Sequence, residues 1–107
     1  DARRRLEAAF AADPAFARRF AELSGSLEVR AADVSEHRLG LDEERWIDLA
    51  ARVDLVAHAA ALVNHVLPYP ALFGPNVVGT AEVIRLAIAA GSVPVTFVSS
   101  VAVAGGA

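Results

Sequence analysis

Three short stretches, Leu27 to Ala32, Asp54 to Ala60 and Val93 to Ser99, read as strands, the second and third largely apolar, and are separated by segments with helical periodicity. Apolar runs of this kind fit strands covered on both faces. Strands that alternate with helices fit a parallel sheet joined by crossovers. The coarse order is therefore α, β, α, β, α, β, and the predicted fold is an α/β domain with a parallel sheet of three strands. In such sheets ligands sit beyond the carboxyl ends of the strands. Here those ends carry Asp33, the run Ala59-Ala60-Ala61, and Ser99-Ser100. A chain of 107 residues, 55% of them hydrophobic, suffices for one small core.

The helical boundaries are written in capping chemistry. Leu6 and Phe10, then Phe16, Phe20 and Leu23, recur at helical spacing. Asp13-Pro14 interrupts them, and Asp before Pro is a good start signal, so two short helices are expected to meet there. Ser24-Gly25-Ser26 ends the second. Asp42 reads as an N-cap, flanked by Leu41 and Trp46 as a hydrophobic staple. Trp46, Leu49, Ala50 and Val53 form the stripe of that helix. Residues Tyr69 to Ala90 are helical again, closed by Gly91, with Gly74-Pro75 expected to kink or break the run. Asn76, Gly79, Thr80, Val83 and Ala87 share one face, which packs on the sheet. Gly79 permits close approach there.

Composition narrows the function classes. There is no cysteine, so disulfides and thiolate metal sites are excluded. That absence fits a cytoplasmic protein. A net charge of -3 gives no nucleic-acid footprint, and nearby acids offset Arg3-Arg4-Arg5. The longest apolar run is short of a membrane span, and no signal-peptide pattern opens the chain. Neither a membrane nor a nucleic acid is expected as partner.

Each candidate residue has a structural reading beside the functional one. Asp33 can accept from an exocyclic amine, or simply form a turn or cap. Ala59, Ala60 and Ala61 let backbone approach a flat cofactor, though alanine is abundant throughout. His58 lies in an apolar strand and reads as a satisfied core histidine. Asn76, polar on a packed helix face, needs partners, whether at the Pro75 kink or in a site. Ser99 and Ser100 offer hydroxyls at a strand end, where serine is also a common terminator.

The ordered set Val56-Ala57-His58-Ala59-Ala60-Ala61, Asn64-His65-Val66-Leu67-Pro68-Tyr69, Leu72-Phe73-Gly74-Pro75-Asn76-Val77-Val78-Gly79-Thr80-Ala81-Glu82 and Phe97-Val98-Ser99-Ser100 resembles the reductase domain of carboxylic acid reductases. Thioester reductase domains of peptide synthetases are related. Both belong to the extended short-chain dehydrogenases, so the resemblance implies a partial Rossmann-like sheet, three strands with crossover helices, lacking the first two strands of the parent sheet. The resemblance implies NADPH as cofactor, and as substrate an acyl thioester on the phosphopantetheine of a partner carrier domain. The product implied is an aldehyde. It implies that Asp33 meets the adenine amino group, with Val34 near the ring. Ala59, Ala60, Ala61 and Ser99 would line the cofactor. Ser100 would bond the carbonyl being reduced, where the family usually has threonine. Asn76 would bond backbone near the active site and help order a relay water. The loop with Asn64, His65 and Tyr69 would lie by the nicotinamide.

The Gly-rich phosphate turn, the second strand with its 2′-phosphate-reading residue, and Tyr-x-x-x-Lys are all missing from the 107 residues. Tyr69 is followed four positions later by Phe73, so it is not that tyrosine. Residues 1–107 are thus expected to be the central fragment of a reductase domain, inactive alone. In the family's strand order, 3-2-1-4-5, the first of the three stretches here is parted from the other two by absent strands. The alternatives are another extended dehydrogenase or epimerase, and a noncatalytic nucleotide sensor on the same fold.

Overall fold

A computed structural model describes residues 1–105. The chain forms two compact units, Asp1–Ala31 and Ala32–Ala107.

The first unit is a helical pair, α1 (Ala2–Ala11) and α2 (Pro14–Leu23). They meet where the Asp-Pro signal lies. The Asp13 carboxylate accepts from Ala15 N at 2.8 Å, and Pro14 occupies the first helical position. Such a cap contributes about 1 kcal/mol. Phe10 stacks on Phe20 at 5.2 Å between centroids and meets Phe16 edge-on at 6.5 Å. The Arg3 guanidinium donates to the carbonyls of Ser24 and Leu27 and ties the end of the pair to its start.

The second unit contains α3 (Glu43–Arg52), β1 (Val56–His58), α4 (Tyr69–Phe73), α5 (Gly79–Ala89) and β2 (Val95–Phe97). Asp42 caps α3 through Arg45 N at 2.8 Å. β1 and β2 pair in parallel, with Val56 opposite Val95, Ala57 opposite Thr96 and His58 opposite Phe97. Two further bonds, Val56 N to Pro94 O and Val98 N to His58 O, extend the ladder by a residue at each end. The connection between them runs through α4 and α5, as the alternation of apolar runs predicts. Gly91, at φ +100°, ends α5, and Val93 N reaches back to Ala87 O.

The core gathers Leu39, Trp46, Val56, Val83, Leu86 and Ala87, with Val34, Leu41, Leu49, Ala50, Val53 and Val93 packed around it. Burying a side chain of the size of Leu86 contributes about 1.5–3 kcal/mol. The Tyr69–Ala89 helix is long and apolar enough to cross a membrane by length and composition. One face of it packs inward, with Val83, Leu86, Ala87 and the charged Glu82 buried, while Tyr69, Val77, Ile84 and Ile88 are exposed.

One expectation needs correction, and another is resolved between its alternatives. Leu27 to Ala32 forms no strand; the sheet among the described residues has two strands, not three. Leu27 has extended backbone angles but only ends the 3₁₀ turn Ser24–Ser26. A segment becomes a strand only when a partner backbone takes its hydrogen bonds, and this one has no ladder. The two observed strands are also shorter than the apolar runs that contain them. At Gly74-Pro75 the helix does not break. Residues Gly74–Val78 run as a π-helix, in which Gly79 N bonds Gly74 O. The wider turn absorbs the missing Pro75 N–H and leads from α4 into α5.

Gly79 is buried where α5 passes under the 33–40 loop. A Cβ built there would sit 2.9 Å from Val34 Cγ2 and 3.4 Å from Val34 O. At Gly74 the nearest atom is Ser35 Cβ at 3.6 Å, an ordinary contact. Gly79→Ala is therefore expected to destabilise the protein by about 1–3 kcal/mol in urea unfolding, despite alanine's better helix propensity. Gly74→Ala should be neutral or slightly stabilising in the same measurement.

Candidate functional site

All residues marked by the sequence as site candidates lie in the second unit. All but Asn76, which sits in the Gly74–Val78 π-turn, occupy loops, and specific hydrogen bonds hold those loops in place.

Past β1, Ala59, Ala60 and Ala61 are exposed. The next residue is clamped. Asn76 Oδ1 accepts from Leu62 N at 2.8 Å, and Asn76 Nδ2 donates to Leu62 O at 3.0 Å. One amide side chain thus satisfies both backbone groups of one residue, as a neighbouring strand would. The π-turn sets Asn76 on the helix side from which it reaches Leu62. Further along the loop, Asn64 Oδ1 accepts from Val66 N and Leu67 N at 2.8 and 2.9 Å. Tyr69 stands edge-on to Phe73 at the start of α4.

His58, at the end of β1, is only 4% exposed. Its Nε2 lies 3.2 Å from Thr80 Oγ1, and Thr80 Oγ1 donates to Asn76 O at 2.7 Å. Thr80 has a single hydroxyl proton, which goes to Asn76. Its oxygen therefore accepts, and His58 donates from Nε2. The ring also packs against Phe97 of β2 at 5.3 Å. His58 is a satisfied core histidine, as its apolar surroundings predict. It connects β1, through Thr80, to the turn that carries Asn76.

Past β2, Ser99 and Ser100 are exposed, and Ser100 precedes a 3₁₀ turn, Val101–Val103. The Ser100 carbonyl accepts from Val103 N, while its hydroxyl caps nothing. Because β1 and β2 are adjacent and parallel, Ala59–Ala61 and Ser99–Ser100 emerge at the same end of the sheet.

Asp33 is exposed and heads a tight loop. Its Oδ1 accepts from Ser35 N at 2.9 Å and from Ser35 Oγ at 2.5 Å. These bonds, the hydroxyl first and the backbone second, hold the Asp33 carboxyl below its ordinary value of 3.8. Val34 is half-buried against Gly79. Asp33 N donates to Leu39 O at 2.9 Å, closing the loop on a turn of unusual backbone. Arg38 and Leu39 have φ of +53° and +59°, and Gly40 follows at +74°. Left-handed conformations cost non-glycine residues roughly 1–2 kcal/mol each.

Two residues in this scheme are not marked by the sequence patterns. Thr80 reads there only as part of a packed face. Glu82, 5% exposed, accepts from Arg38 N at 3.0 Å and pairs with Arg85 Nε at 3.2 Å. The available signal was an acid one turn from Gly79 on the packed side of an apolar helix. No group of three or more His, Cys, Asp or Glu capable of holding a metal occurs among the described residues.

The NAD-binding family described as "Male sterility protein" matches residues 1–107. The chain is 52% identical over 107 residues to a carboxylic acid reductase of Segniliparus rugosus, covering 98% of this chain and 9% of that protein. It is 53% identical over 102 residues to an isonitrile lipopeptide synthase of Mycobacterium tuberculosis, covering 94% of this chain and 4% of the synthase. A crystal structure of the reductase (R) domain of a nonribosomal peptide synthetase from Mycobacterium tuberculosis superposes with a TM-score of 0.81 at 48% identity. The superposition covers 99% of this chain and 25% of that one. The chain thus spans less than a tenth of the curated relatives it matches here.

The Asp33 geometry gives a testable pH effect. A carboxyl depressed in the folded state stabilises above its unfolded value, and that contribution is lost as pH falls through the folded value. Ser35→Ala removes the largest cause and should move the Asp33 carboxyl up toward 3.8. NMR titration of the side-chain carbon reads this directly.

Proposed function

The chain belongs to the NAD-binding family described as Male sterility protein, and we propose that it is the central part of an NADPH-dependent thioester reductase domain. The substrate is an acyl group held as a thioester on the phosphopantetheine of a carrier domain, and the product is an aldehyde. The parent protein is a carboxylic acid reductase or a close relative working in the cytoplasm. The names and reductase domains of the relatives support this reading. The observation that carries it in this chain is the pairing of free Ser100 with the Ala59–Ala61 run at one end of a parallel sheet.

The residues present fit a dinucleotide. Ser35 occupies Asp33 Oδ1 alone, so the exposed carboxylate retains an acceptor oxygen for an exocyclic amine. Val34 offers an apolar edge beside it. The one-carbon side chains of Ala59, Ala60 and Ala61 admit a flat ring system close to the backbone, with Ser99 across from them. When bound, NADPH supplies the hydride.

The chain's own part is orientation and charge stabilisation. Ser100 donates its hydroxyl to the thioester carbonyl oxygen, where negative charge develops. A donor aimed at that oxygen is worth more in the transition state than in the ground state. Asn76 acts at one remove: its amide is spent on Leu62, so it positions the Ala59–Ala61 loop. Its backbone carbonyl accepts from the Thr80 hydroxyl, which fixes the turn near where a relay water would sit. A Gly-rich phosphate turn and Tyr-x-x-x-Lys do not occur in the 107 residues, and the rest of the domain supplies them.

The test is aldehyde formation by the full-length protein with carrier-bound thioester. Ser100→Ala should lower kcat by on the order of 10²-fold with little change in NADPH affinity. Ser100→Thr should keep most activity, and Ser99→Ala should be milder. Thermal melts of each variant separate catalysis from stability. Wild-type turnover by Ser100→Ala would sink the assignment.

A further inference from the structure

We infer that Glu82 is a positioning residue for the dinucleotide: from inside α5 it fixes the turn on which the Asp33–Val34 loop rests. The inference deepens the reductase reading and depends on it.

Glu82 is buried on an otherwise apolar helix face, beside Val83 and close to Leu86. A carboxylate in that position requires partners. One is the neighbouring Arg85, which any surface pair would provide. The other lies 44 positions away in sequence: the backbone N–H of Arg38. Arg38 begins the left-handed stretch Arg38, Leu39 and Gly40. Two non-glycine residues hold that conformation only when surroundings over-determine it. Three restraints do so: Glu82 Oε2 takes the Arg38 N–H, Leu39 is anchored in the core, and Gly40 follows without a side chain.

The consequence reaches the site through one bond. The left-handed turn presents Leu39 O to Asp33 N. If the turn relaxed, Leu39 O would swing away and Asp33 would lose its backbone anchor. Ser35 would still orient the carboxylate locally, but on a loop no longer placed. The same helical segment backs the loop at two other points, Gly74 against Ser35 and Gly79 against Val34. Those contacts limit how near the loop can come. Glu82 is the polar attachment that keeps its far end from leaving. Its effect belongs to the adenine side, away from Ser100, and should appear in cofactor binding before it appears in turnover.

The experiment uses the full-length reductase with carrier-bound thioester and NADPH. Glu82→Ala should raise Kd and KM for NADPH about tenfold, with kcat at saturating NADPH and thioester KM within about twofold of wild type. Glu82→Gln keeps an acceptor for the Arg38 N–H and should restore most of the NADPH affinity. If the alanine variant does not fold, Glu82→Asp carries the test. Its carboxylate is one methylene short of Arg38, and it should weaken NADPH while leaving thioester KM unchanged. A folded Ala or Asp variant with wild-type NADPH affinity overturns the inference. So does an equal change in both KM values and kcat, which marks a merely structural acid. A wild-type protein that binds no NADPH would remove the reductase reading together with this inference. Wild-type binding with an unaffected variant removes this inference alone.

Discussion

Where a helix passes under a loop at closest packing, it can carry no side chain at the point of approach. At Gly79 even a methyl carbon would stand 2.9 Å from Val34. That clearance sets the distance between α5 and the 33–40 loop. It also sets which residues of α5 can reach that loop: Glu82, one turn on, bonds the Arg38 N–H. One residue on from Gly79, Thr80 meets His58 and so engages β1. The helical segment from Asn76 to Glu82 therefore touches both walls of the proposed crevice. Its placement couples the Asp33 loop to the loop after β1 without any direct contact being needed between them.

This coupling rests on polar groups inside an apolar frame. His58, Thr80 and the Asn76 carbonyl form one chain of donors and acceptors, each used once. The Asn76 amide then spends its remaining capacity on Leu62. Buried polar groups stabilise only when satisfied, and a satisfied set specifies one arrangement over its neighbours. A purely apolar contact between α5 and β1 could slide by a residue. The His58–Thr80 bond cannot slide without stranding a donor. The π-turn at Gly74–Val78 belongs to the same logic, since it changes the helical phase just where Asn76 must face Leu62.

Much of this was legible in the chain, and the reasons differ by element. The starts of α2 and α3 could be read because Asp13 and Asp42 act on N–H groups two or three positions away. The end of α5 could be read because Gly91 holds a φ that few residues tolerate. Such signals are local, so sequence contains them whole. The parallel pairing of β1 with β2 followed from apolar runs parted by a helix. Leu27 to Ala32 shows the limit, because a strand is a property of two segments and periodicity describes one. The left-handed turn at Arg38 and Leu39 was invisible for a related reason. Nothing in those side chains asks for positive φ; Glu82, far along the chain, supplies part of the restraint. Asn76, by contrast, stood out as a polar residue on a packed face, and its partners lay where the helix face pointed.

Exposure divides the second unit by task. Asp33, Ala59, Ala60, Ala61, Ser99 and Ser100 are open to solvent, while Gly79, Glu82 and His58 behind them are buried. Residues that must meet a ligand cannot also fill the core, and loops at strand ends are free of that duty. Precision then has to come from below, through few and specific atoms. Each exposed loop here has such an atom: Leu39 O for Asp33, and the Asn76 amide for the residue after Ala61. Ser100 is held differently, through the ladder bond from Val98 N to His58 O two residues before it. His58 therefore serves both sides of the proposed active site, its carbonyl steadying the approach to Ser100 and its ring steadying Asn76 through Thr80. One histidine can brace two loops at once, because its backbone carbonyl takes the Val98 N–H and its ring meets Thr80.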